Sequence, residues 1–230
     1  MARIIYKEGQ TPLECIEGNE IGLFTKVKLD DKWNFINAEG QILSTQWFDW
    51  VGNFNEGLAK VGLNGQDNVI NTDGQLISNQ WFDGVQNFHE GFAIVELDGK
   101  WNFIDTEGQL LSKQWFDGAW IFYEGFAIVK LNGKFNFINP SGQILSQQWF
   151  NEAMAFQPKG FAIVKLNDKW NLINTEGQFV SNLWFDWIGD FNEKEGFAQV
   201  KLNGKWNFIN AKGQLLSQRG FDWAWEFFYT

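Results

Sequence analysis

One pattern, returned six times at a nearly constant interval, constrains this chain more than any other feature. It is clearest at Lys100-Trp101-Asn102-Phe103-Ile104-Asp105-Thr106-Glu107-Gly108-Gln109, and edited copies fall at Trp33, Asp67, Phe135, Trp170 and Trp206. The glycine of the Gly-Gln pair stands at Gly40, Gly74, Gly108, Gly142, Gly177 and Gly213, in steps of 34, 34, 34, 35 and 36. A self-similar chain folds as one array whatever its length, because each unit buries its apolar face against the next. The two longer steps come from Pro158-Lys159 and Lys194-Glu195, each just before a glycine that opens a unit. Insertions confined to one junction mark a surface loop.

Each unit reads as four short segments. Segment A, for example Phe92-Ala93-Ile94-Val95-Glu96-Leu97, is apolar and β-branched, which suits a strand. Asn64-Gly65, Asp98-Gly99, Asn132-Gly133 or Asn203-Gly204 follows, and such a pair between apolar runs predicts a type I′ hairpin. Segment B is the opening pattern. It ends on Asp105-Thr106-Glu107-Gly108 or Asn139-Pro140-Ser141-Gly142, which fits a type I turn closed by a left-handed glycine. Segment C is Gln109-Leu110-Leu111-Ser112, and segment D runs from Trp115-Phe116-Asp117 to Phe122. Apolar residues occupy both odd and even positions of A and B, as in strands covered on both faces.

These readings predict an all-β repeat protein of six four-stranded units, arranged as a six-bladed β-propeller. In a ring, residues 214–230 would close onto residues 20–37 as a strap that leaves no open edge. An open β-solenoid of stacked hairpins is the alternative, with the irregular segment 1–19 as its cap. Residues 20–230 are expected to form a single domain.

The 230 residues carry 18 basic and 28 acidic side chains, a formal charge of −10. Nucleic acid and anionic membrane surfaces are poor partners for such a chain, since both call for Lys and Arg. The single cysteine, Cys15, excludes an internal disulfide. The first residues lack the apolar core of a signal peptide, and no apolar run reaches the ~20 residues that span a bilayer. A cytoplasmic protein without membrane insertion is expected.

The residues resemble the WG-repeat (KWG-repeat) proteins of bacteria. The shared frame reads Lys100-Trp101-Asn102-Phe103-Ile104-Asp105-Thr106-Glu107-Gly108, then Trp115-Phe116-Asp117, then Phe122-Tyr123-Glu124-Gly125-Phe126-Ala127-Ile128-Val129. The resemblance covers roughly residues 20–230 and implies a repeat-built binding or surface module, without catalytic residues to carry over. The chain departs from it at Asn34, Asn68, Asn102, Asn136, Asn171 and Asn207, where the family has glycine. Asn is the least penalised side chain in the left-handed region, so a bulge with positive φ is expected after each Trp; an Asn in ordinary β geometry bonding nearby backbone is the rival. A weaker similarity is to choline- and glucan-binding hairpin repeats.

Repeated residues are poor catalytic candidates, because an active site is needed once. Asp49, Asp83, Asp117, Asp186 and Asp222, with Asn151 in the remaining copy, read as acceptors for turns. His89 reads as a surface residue and the repeated tryptophans mostly as core. There is no nucleophile elbow, phosphate loop or zinc signature, so no enzyme and no cofactor is expected. Informative positions are those that vary while the frame stays fixed. Trp50, Trp120, Trp187, Trp223 and Trp225 are large aromatics without a repeat-wide packing duty, and Tyr123 joins them on a variable turn. Exposed Trp and Tyr serve protein hot spots and sugar rings. The expectation is a non-catalytic binding or scaffold module that recognises a protein partner through this aromatic-rich face. A glycan-binding module and a self-assembling structural protein are the alternatives.

Overall fold

The computed structural model describes residues 24–191 and 196–224. Segment 1–19, Cys15, the Lys194-Glu195 insertion, Trp225 and, of the expected strap, residues 225–230 and 20–23 lie outside the described residues. Within them the chain is all β, with seventeen strands and no helix. Segments A and B of successive repeats form the hairpins β1 (Phe24–Leu29) with β2 (Lys32–Asn37), β4 (Leu58–Leu63) with β5 (Gln66–Asn71), and β7 (Phe92–Leu97) with β8 (Lys100–Asp105). Then follow β10 (Ala127–Leu131) with β11 (Lys134–Ile138), β13 (Phe161–Leu166) with β14 (Lys169–Asn174), and β16 (Phe197–Leu202) with β17 (Lys205–Asn210). The predicted type I′ turns join them: φ is 53° at Asn64 and 80° at Gly65, 50° at Asn132 and 77° at Gly133.

Segment D links one repeat to the next. Phe48 exchanges both backbone hydrogen bonds with Trp33 of its own repeat, at 2.7 and 2.9 Å. Two residues later β3 (Trp50–Val51) pairs with β4 of the following repeat. The strands β6 (Gly84–Val85), β9 (Gly118–Ala119), β12 (Glu152–Ala153) and β15 (Trp187–Ile188) do the same, giving five three-stranded sheets of order D-A-B. The first sheet holds β1 and β2 among the described residues.

Segment C differs from the expected fourth strand. It touches its own B strand at isolated bridges such as Ile36↔Ile42, and a side chain holds it there. Asn34 lies in regular antiparallel register opposite Val27, and none of the six asparagines has a positive φ. The expected bulge is therefore wrong. The Asn34 amide nitrogen donates to the Ser44 and Gln46 carbonyls at 2.8 and 3.0 Å. Its oxygen accepts from the Phe35 and Ser44 amides at 2.8 and 3.3 Å. Asn34 is fully buried, and these four bonds satisfy what a carboxamide can give and take. Asn68, Asn102, Asn136 and Asn207 clamp their own C segments in the same way, while Asn171 makes its bond to Ser181.

The turn between B and C carries a second device. Gly74, with φ 79°, lies so close to the preceding repeat that an added Cβ would sit 1.9 Å from the Leu43 carbonyl oxygen. Gly108, Gly142, Gly177 and Gly213 meet Ile77, Leu111, Leu145 and Val180 at 2.0 to 2.3 Å. Gly40, in the first described repeat, meets nothing within 4 Å.

Phenylalanine fills the centre of the core, and the repeated Trp33, Trp81, Trp101, Trp149 and Trp170 pack against its margin. Phe35, Phe48, Phe82, Phe103, Phe116, Phe137, Phe150 and Phe185 are essentially inaccessible, whereas Trp33, Trp47, Trp101, Trp115, Trp170 and Trp206 are half-buried. A flat, stiff Phe fits between two sheets without needing a partner for an indole N–H.

The chain divides into two compact units, with the boundary inside the repeat of β6 to β8. One holds the described residues up to Gln86 with Val95–Asp98 and Ile104–Gln109. Its core joins Phe35 and Phe48 of the first repeat to Ala59, Val61 and Ile70 of the second. The other unit holds Asn87–Ile94, Gly99–Phe103 and the described residues from Leu110 onward. Its cores repeat that scheme, one around Phe103, Phe116, Phe122 and Ile138, one around Phe137, Phe150 and Ile173, one around Phe185, Ile188 and Ile209.

Candidate functional site

Antiparallel register places three side chains in a row across each sheet, one from D, the fifth of A and the second of B. The rows read Trp50–Gly62–Asp67, Gly118–Lys130–Phe135, Glu152–Lys165–Trp170 and Trp187–Lys201–Trp206. Residues directly opposite in neighbouring strands share a face and touch.

Most rows are internally matched. The Lys130 ammonium lies 5.3 Å from the centre of the Phe135 ring, Lys165 5.2 Å from Trp170 and Lys201 5.3 Å from Trp206. Lys28 stands 5.7 Å from Trp33 in the first sheet. Lys165 also meets Glu152 at 2.8 Å, and that hydrogen-bonded carboxylate raises the lysine's pKa.

The segment-D aspartates are engaged by a turn, a lysine or both, and four of the five hold a lysine; Asp83 accepts the Asp98 amide at 2.7 Å and has Gln66 in the lysine's place. Asp117 takes Lys100 at 2.5 Å and accepts the Asn132 amide of the next hairpin turn at 2.6 Å. Asp49 with Lys32, Asp186 with Lys169 and Asp222 with Lys205 form the same ion pair. The hydrogen-bonded lysine holds each carboxyl below the usual aspartate range.

The predicted aromatics stand at separate points. Trp50 on β3 is 39% exposed, and its indole covers Gly62 so closely that a Cβ there would lie 1.8 Å from Nε1. Trp187 on β15 is 41% exposed, folds over Gly189 and meets Trp206 edge-on at 5.5 Å. Trp120 is as exposed, lies over Gly118 and reaches Phe135 at 5.8 Å. Tyr123 sits instead on the turn before segment A, where it exchanges hydrogen bonds with Phe126. Trp223, at the end of the described chain, is 60% exposed. Trp50 belongs to one compact unit and the other four to the second.

Sequence reading passed over Asp67. Every other copy has an aromatic there, and Gly62 replaces a Lys or Glu in the same row. Gln66 replaces lysine beside it. Three departures inside one repeat are the signal that was available. Burial pushes the Asp67 carboxyl above the usual range, against a 3.3 Å hydrogen bond from the Val85 amide and the charge of Lys60.

Hairpin sheets, clamped turns and variable rows define a β-repeat protein whose frame is distinct from its exposed variable side chains. Five consecutive stretches, residues 35–66, 69–101, 103–135, 137–170 and 172–206, match the WG containing repeat, and the chain belongs to that family. No curated protein sequence matches it. Among solved structures it superposes on Kluyveromyces lactis Hsv2 at 10% identity and a TM-score of 0.39, over 82% of this chain and 70% of that one. It superposes on a protein of unknown function from Bacteroides caccae at 16% identity and 0.27, over 81% and 88%. At those scores neither likeness bears on function.

Proposed function

We propose that this chain is a non-catalytic binding module that recognises a protein partner through the tryptophans carried where its repeats differ. The observation behind this reading is the setting of Trp50 and Trp187. Each is laid over a glycine and fixed in place, yet remains about 40% exposed. Held aromatics lose little side-chain entropy on binding, and truncating such hot-spot residues costs 2 kcal/mol or more in affinity. The repeated carboxylates are consumed by turns and lysines, which argues for a structural role over catalysis. Capture of partner from lysate by the full chain, compared with Trp50→Ala, Trp187→Ala and Trp223→Ala, tests the proposal. A specific partner lost with these variants supports it. A partner retained by all three overturns the choice of these residues.

A further inference from the structure

The row Trp50–Gly62–Asp67 differs from its counterparts in sign as well as in shape. Around Trp206 the frame places Lys201 and Lys205; around Asp67 the same two positions are Gly62 and Gln66. Two lysines are lost there and a carboxylate is gained. In the rows of Phe135, Trp170 and Trp206 the protein sets its own ammonium over an aromatic face. The Trp50 row has the aromatic face and a half-buried carboxylate, but no lysine among its three residues. Among the described residues Asp67 forms no ion pair, and neither does Asp83, whose lysine position is Gln66, while Asp49, Asp117, Asp186 and Asp222 each hold a lysine. Lys60, two residues before Gly62 on the same face, is the cation that acts on Asp67.

Distance permits a shared ligand. Two strand spacings separate Trp50 from Asp67, about 10 Å between backbones. The indole lies over Gly62, the middle residue of the row, and Asp67 accepts the Val85 amide through one of its two oxygens. An aromatic face with a carboxylate at its edge is the arrangement that holds a cation bearing hydrogen-bond donors. The chain's charge of −10 draws basic partners toward it.

We propose that the Trp50–Gly62–Asp67 row is a receptor for a lysine or arginine side chain of a basic protein partner, the guanidinium or ammonium lying against Trp50 and donating to Asp67. The inference rests on the protein-binding reading above and names the chemistry of one contact. It requires nothing of Trp187 or Trp223.

The test is an NMR titration of the full chain, following tryptophan indole N–H signals, with a capped tripeptide carrying one arginine. The same peptide with citrulline is the neutral isostere. The expected result is a saturable shift of the Trp50 signal with the arginine peptide and none with citrulline. Asp67→Asn, which keeps the side-chain shape, should weaken binding at least fivefold, and Lys60→Gln should tighten it. Equal shifts with citrulline, or unchanged affinity in Asp67→Asn, would overturn the inference. So would arginine-dependent shifts at Trp187 or Trp206 alone, although the protein-binding reading would then survive. Loss of partner capture in Trp187→Ala with no response at Trp50 separates the two in the same way.

Discussion

The rows Trp50–Gly62–Asp67 and Trp187–Lys201–Trp206 are built on the same frame and do opposite things with it. In the second, a lysine lies over the Trp206 ring, which Trp187 meets edge-on, so the row closes upon itself. In the first, glycine lets the indole lie down onto the sheet, and the row ends on a carboxylate that forms no ion pair among the described residues. Both stand over the same supports: a buried asparagine clamping segment C, and an inaccessible phenylalanine two residues before the D-segment row residue. In the second row that residue is Phe185. Cohesion comes from those supports, so the row above them is free to change.

The widest effect should come from breaking the shared support. Asn68→Ala and Asn207→Ala each leave two carbonyls and at least one amide without partners. At about 1–3 kcal/mol per buried group, each should lose about 3 kcal/mol or more, read from urea unfolding midpoints. If Asn68→Ala were harmless and Asn207→Ala were not, the two rows would not share a frame. Next in size is Gly62→Lys, which imports the second row's residue into the first. Its Cβ would meet the Trp50 indole, so stability should fall by about 1–3 kcal/mol and Trp50 emission should shift to the red. Unchanged emission would mean that the glycine is not what seats the indole. The reverse exchange, Lys201→Gly, removes one ammonium from the half-buried Trp206 ring and should cost about 0.5–1 kcal/mol in thermal unfolding.

The smallest effect distinguishes the two kinds of aspartate by sign. Asp67 has a raised pKa, so its ionised form costs stability above that value, and the cost fades as pH falls through it. Asp67→Asn should therefore raise Tm slightly at pH 7, and the gain should vanish toward acid. Asp186 has a lowered pKa, caused first by Lys169 and then by the Gly204 amide. Its contribution is complete above the ordinary aspartate value of about 4 and is lost as pH falls through its own lower value. Asp186→Asn should be destabilising at pH 7 and approach neutrality in strong acid. The same sign for both variants at pH 7 would refute the distinction.

Much of this was legible in the residues. Asn-Gly and Asp-Gly pairs identified the A–B hairpins because few sequences tolerate two positive φ values in succession. The turn closed by Gly108, with the Gly108 amide bonded to Asp105, followed from the order of Asp and Gly. A second family of tight turns escaped notice. Glu56-Gly57, Glu90-Gly91 and Glu124-Gly125 also have positive φ at both residues, and glutamate is a rare occupant of that region. The asparagine role was misread because Asn suits both a left-handed backbone and a buried side-chain bridge. Only the position of Ser44 and Gln46, ten and twelve residues away, distinguishes them. Exposure of Trp50 and Trp187 was readable from repeat disagreement. The pairing of Trp50 with Gly62 and Asp67 was not, because it requires the register of three strands.

The glycines that seat one repeat upon the last have a consequence for ancestry. Each of Gly74, Gly108, Gly142, Gly177 and Gly213 fits only against a carbonyl 31 to 33 residues earlier, in a place too tight for any side chain. A duplication or deletion that began and ended at arbitrary points would put a side chain under some carbonyl and fail. One that copied a whole unit would find its socket already made. Such a chain grows or shrinks by complete repeats, and each new copy arrives with a fresh row of three positions on which selection can act.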